Sequence, residues 1–117
     1  MNKNFKDLGI SDILISALEK QSVNEPTEVQ INTIPEILKN NNVIARAETG
    51  SGKTLTYLLP IFMGIDTSLR SAQCIILTPT HELAVQVHRQ AELLAQNSGM
   101  EIRSALIIGN AGLQRQL

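Results

Sequence analysis

Gly50-Ser51-Gly52-Lys53-Thr54 follows the short apolar run Val43-Ile44-Ala45 and opens a helical stretch running from Lys53 towards Ile65. A strand that turns into a helix through such residues has few uses. Gly50 and Gly52 let backbone N–H groups close on an anion with no side chain in the way, while the following helix aims its positive end at the same point. Lys53 would neutralise terminal phosphates there, and the Thr54 hydroxyl would hold Mg²⁺. The bland alternative is a glycine turn that only caps a helix. The strand-then-helix setting favours phosphate, and Ala47 stands where the general G-x-x-x-x-G-K-[S/T] pattern has its first glycine.

The flanking segments extend this pattern. Ile10, Ile13, Leu14, Ala17 and Leu18 share one face of a helix that Ser11 is placed to cap, and Thr27 with Gln30 has the spacing of a capping box opening a second helix. That helix carries Ile34, Ile37 and Leu38 towards the core, with Pro35 bending it or marking its first turns. Val43–Ala45, Cys74–Leu77 and Ile102–Ile108 read as strands, and a helix from about Glu82 to Asn97 carries Leu83, Val87, Ala91, Leu94 and Ala95 on one side. Strands alternating with helices predict an α/β fold, a parallel sheet flanked by helices, because parallel neighbours need a crossover.

Composition excludes more than it assigns. Ten Lys and Arg against eleven Asp and Glu give a net charge of −1, so bulk charge supplies no footprint for nucleic acid and any such contact must be local. The amino terminus lacks the apolar stretch of a signal peptide, and the run Tyr57–Met63 is too short to span a bilayer, which predicts a cytoplasmic protein with no membrane partner. Cys74 has no second cysteine to pair with and reads as a buried apolar residue. His88 reads as a surface helix residue.

The loop Ala47-Glu48-Thr49-Gly50-Ser51-Gly52-Lys53-Thr54 resembles the A-x-T-G-x-G-K-T form of the Walker A motif in DEAD-box ATP-dependent RNA helicases, where alanine is usual at the first position. Glu25-Pro26-Thr27-Glu28-Val29-Gln30 is similar to the adenine-reading Q motif of that family. A carboxamide carries both a donor and an acceptor, so Gln30 matches adenine and not guanine. The resemblance further implies that Phe5, preceding Ser22 at the family's spacing, stacks on the base. Its alternative role is an apolar anchor. Ser22 and Val23 depart from the family's glycine and aromatic residue. Pro79-Thr80-His81-Glu82-Leu83-Ala84 resembles motif Ia, P-T-R-E-L-A, which touches RNA backbone. His81 in place of arginine implies a weaker and more pH-sensitive contact, and the competing reading is that Thr80 simply caps a helix. Gly109-Asn110 stands where the family has a glycine pair close to RNA.

On that resemblance, residues 1–117 are expected to be the amino-terminal portion of a first RecA-like domain that binds ATP and Mg²⁺, with Lys53 as its catalytic cation and RNA as partner of the parent enzyme. The D-E-A-D sequence and the second domain's arginines are not identifiable here, so this chain alone is expected to bind nucleotide without hydrolysing it. A sheet ended early would also expose an apolar edge and favour association. Two other readings stay open: a different phosphate-loop ATPase, and a nucleotide-binding module without turnover.

Overall fold

The computed structural model describes residues 3–47 and 52–109. Glu48, Thr49, Gly50, Ser51 and Asn110 lie outside the described residues. The chain divides into two units, Met1–Ile65 and Asp66–Leu117.

The first unit is helical. Asn4 and Asp7 exchange side-chain-to-backbone hydrogen bonds of 2.9 and 2.8 Å, closing a turn in which the Phe5 carbonyl accepts from Leu8 and Ile10 N–H. Helix α1, Asp12–Lys20, has an acid in its first turn and a base in its last, matching the helix dipole. Leu14, Ala17 and Leu18 are buried as the periodicity predicts. Ile13, expected on the same face, is 55% exposed, because it falls at the edge of that narrow stripe. Ser11 precedes α1 in extended geometry but makes no side-chain cap bond. Past the helix, Ser22 takes a positive φ of 62°, the conformation in which glycine is at ease, so the departure from glycine here keeps the glycine-like backbone.

Helix α2, Glu28–Leu38, opens with the predicted capping box: Thr27 accepts from Gln30 N–H, and Thr27 N–H donates to Gln30 Oε1 at 2.9 Å. Pro35 lies inside the helix. Ile34 is fully buried, with Ile37 and Leu38 half-buried. Helix α3, Lys53–Gly64, packs against α2 and buries Leu58, Leu59 and Phe62. Gly52 leads into α3 with a left-handed φ of 86°.

The second unit begins with a closed loop. The Gln73 carboxamide accepts from Asp66 N–H and donates to Asp66 C=O, both at 2.9 Å. The Ser68 hydroxyl, then its N–H, bonds the Asp66 carboxylate and holds it below the usual carboxylate pKa. Helix α4, His81–Ser98, starts one residue before the expected point and ends at Gly99, whose φ of 72° suits glycine. Val87, Ala91 and Leu94 are buried, whereas Leu83 is exposed in the first turn. Thr80 caps α4 by accepting from Leu83 N–H at 3.1 Å. Thr80→Ala is expected to cost about 1 kcal/mol, seen as a lower urea midpoint, and an unchanged midpoint would count against the cap.

Among the described residues no strand forms, so the parallel sheet expected from the sequence is not present. None of Val43–Ala45, Cys74–Leu77 and Ile102–Ile108 is a strand, and Ile102 N–H turns back to Met100 C=O at 2.9 Å. Apolar runs state a tendency, but a strand exists only by exchanging hydrogen bonds with a neighbour, and parallel strands are covered on both faces. Here Ile44 is 101%, Ile75 81% and Leu77 90% exposed. Cys74 is likewise exposed, correcting its expected burial, because the run that was to bury it has no sheet to join. Partial desolvation still raises its thiol pKa, which disfavours thiolate.

Candidate functional site

Two segments distant in sequence meet at one carbonyl oxygen. Gln30 is only 1% exposed, and its Nε2 donates to the Gly52 C=O at 3.1 Å. The same oxygen accepts from Thr56 Oγ1 at 3.0 Å and from Thr56 N–H at 3.3 Å. The capping box and the start of the lysine helix are therefore joined through a side-chain amide.

That amide is not exhausted. A carboxamide has two N–H donors and an oxygen with two lone pairs. Among the described residues Gln30 spends one donor on Gly52 and one lone pair on Thr27 N–H, leaving one of each. By that count the cap does not exhaust the amide, though at 1% exposure its edge is covered in this structure. Gly52 must be glycine on two counts. Its φ is left-handed, and a Cβ there would stand 2.5 Å from Gln30 Nε2 and 3.2 Å from Thr27 Cγ2.

Lys53 is exposed and Thr54 half-buried at the start of α3, where the first N–H groups have no partner within the helix. Ala47 is half-buried at the other side of the loop. Backbone N–H groups, one lysine and one hydroxyl are a donor set that would fit a nucleotide phosphate, with Thr54 the residue that would hold Mg²⁺. Phe5 belongs to the same unit and is 2% exposed, so its ring is covered in this structure.

The residues expected to face RNA lie in the second unit. Pro79, Thr80, His81 and Glu82 are exposed at the amino end of α4, and Gly109 is exposed. Thr80 uses its oxygen as an acceptor for the cap, and its hydroxyl proton stays available to a phosphate. His88 is more engaged than a plain surface residue. Its Nδ1 lies 3.0 Å from Ser104 Oγ and its Nε2 2.8 Å from Glu92 Oε1, tying the 102–108 segment to α4.

Thr56 was missed by sequence reasoning. Its signal was available: a hydroxyl four residues after Gly52 inside the otherwise apolar run Leu55–Phe62.

Comparison with known proteins decides the family. Residues 27–117 match the family model described as DEAD/DEAH box helicase. The chain belongs to that family. The ATP-dependent RNA helicase CshA of Limosilactobacillus reuteri is 39% identical over 97% of this chain, which spans 22% of that relative. The probable ATP-dependent RNA helicase DDX47 of Homo sapiens is 41% identical over 92% of the chain, which spans 23% of it. A DEAD box protein from Methanococcus jannaschii superposes with a TM-score of 0.81 at 32% identity, over 99% of this chain and 32% of that one. Dbp5 of S. cerevisiae, bound to RNA and ADP BeF3, superposes with a TM-score of 0.80 at 28% identity, over 88% of this chain and 26% of that one. The chain therefore covers about a fifth to a third of these DEAD-box relatives. No helix among the described residues is long and apolar enough to cross a membrane.

Proposed function

We propose that this chain is the adenine-nucleotide-binding portion of an ATP-dependent RNA helicase of the DEAD-box type, the amino-terminal part of its first RecA-like domain, and that its extended segments join a parallel sheet in the parent enzyme. The observation that supports the reading is the Gln30 Nε2 to Gly52 C=O bond of 3.1 Å, which brings the Gln30 amide to the residue just before Lys53.

In this reading Gln30 takes the adenine edge with its remaining donor and acceptor, and Phe5 lies beside the base. Backbone N–H groups from Ala47, Glu48, Thr49, Gly50, Ser51 and Gly52 surround the phosphates. Lys53 offsets their charge, and Thr54 holds Mg²⁺, which when bound neutralises phosphate oxygens. Pro79, Thr80, His81, Glu82 and Gly109 meet RNA backbone, and the protein acts in the cytoplasm. In this reading hydrolysis and unwinding are activities of the whole parent enzyme, to which these residues contribute the nucleotide-binding part.

Titration of the chain with fluorescent ADP and Mg²⁺, with GDP as competitor, tests this. Guanine offers Gln30 an acceptor where adenine offers a donor, and one mismatched buried hydrogen bond costs about 1–3 kcal/mol. ADP is therefore expected to be preferred by roughly tenfold or more. Equal competition by GDP would favour a different phosphate-loop protein that shares only the Lys53 loop.

A further inference from the structure

We infer that Thr56 is a positioning residue of the phosphate loop: by holding the Gly52 carbonyl, it orients the Lys53 N–H towards bound phosphate. The inference rests on the nucleotide-binding reading above and adds a residue to it.

The argument begins with the peptide between Gly52 and Lys53. A trans peptide is planar, so its C=O and N–H point in opposite directions. Fixing one fixes the other. Three donors converge on the Gly52 oxygen: Thr56 Oγ1 at 3.0 Å, Gln30 Nε2 at 3.1 Å and Thr56 N–H at 3.3 Å. The Lys53 N–H must then point away from Gln30 and the Thr56 side chain. It is among the first N–H groups of α3, which have no partner within the helix. The carbonyl dipole, whose oxygen would repel an anion, is turned away by the same contacts.

A threonine hydroxyl bonding four residues back is a common habit in helices and by itself means little. Two observations set this one apart. Thr56 is 4% exposed on a helix whose other buried residues are apolar or proline, so its hydroxyl is committed to this oxygen. The oxygen it holds is also the one that anchors Gln30, so the hydroxyl and the amide lock the same peptide from two elements.

The test compares Thr56→Val, which keeps the shape and removes the hydroxyl, with Thr56→Ser, which keeps the hydroxyl. ADP and adenosine affinities are measured by competition against fluorescent ADP in the 117-residue chain, with the folded fraction checked by circular dichroism. Thr56→Val is expected to weaken ADP about three- to tenfold, the worth of one hydrogen bond, with adenosine unchanged and Thr56→Ser close to wild type. Unchanged ADP affinity in Thr56→Val, or equal losses for ADP and adenosine, would overturn the positioning role, the second outcome marking a merely structural threonine. A wild-type chain that binds no ADP would overturn the nucleotide-binding reading and this inference with it. Wild-type binding with an indifferent Thr56→Val defeats the inference alone.

Discussion

Gly52→Ala is expected to destabilise the first unit by about 2–4 kcal/mol and to remove measurable ADP binding at micromolar nucleotide. A left-handed φ costs a residue with a Cβ about 1–2 kcal/mol. The new methyl would also stand 2.5 Å from Gln30 Nε2, so the amide must leave. Its departure takes one of three donors from the half-buried Gly52 carbonyl and breaks the capping box at Thr27, adding about 1–2 kcal/mol. For a chain of this size the melting temperature is expected to fall by roughly 10 °C or more. Gly64→Ala is the control, because Gly64 ends the same helix and a Cβ there meets nothing within 4 Å. A Gly52→Ala protein that melts with the wild type would refute the close approach between α2 and the loop.

Lys53→Ala should show the opposite signature, with binding lost and stability kept. Lys53 is exposed at the first position of α3, and exposed substitutions of this kind change stability by only about 0.5 kcal/mol. Its ammonium would make charge-assisted hydrogen bonds to phosphate worth about 1.5–3 kcal/mol, or roughly ten- to a hundredfold in affinity. The loss is expected to shrink in high salt, where the wild type is itself weakened by screening. The measurement is the ADP dissociation constant at two salt concentrations beside a thermal melt. Unaltered affinity would place the phosphates elsewhere. Together the two variants separate a residue that shapes the loop from one that supplies its charge.

What could be read in advance divides along physical lines. The capping box at Thr27 and Gln30 and the Thr80 cap were legible because each is local, a side chain meeting an N–H three residues away. Helix α4 was legible for the same reason, its apolar spacing being a property of one segment. The strands were not, because Cys74–Leu77 carries the apolar character of a buried strand but no information about which neighbour completes its ladder. The exposure of Cys74 and Leu77 follows from that missing partner. At the candidate site, the sequence offered the loop and Gln30 as separate motifs, and their convergence was not legible in it. The contact between Gln30 and Gly52 spans 22 positions, and only the folded chain shows that Thr56 shares its oxygen.

The Gln73 clasp across Asp66 has a practical consequence. Because one carboxamide grips both the N–H and the C=O of Asp66, the two ends of the loop are already held together whatever lies between them. Lengthening a loop whose ends are held costs little, about 0.6 kcal/mol for each doubling. The exposed stretch from Leu69 to Ala72 is thus a natural place to graft an epitope or a reporter, with α3 and α4 left as they are on either side.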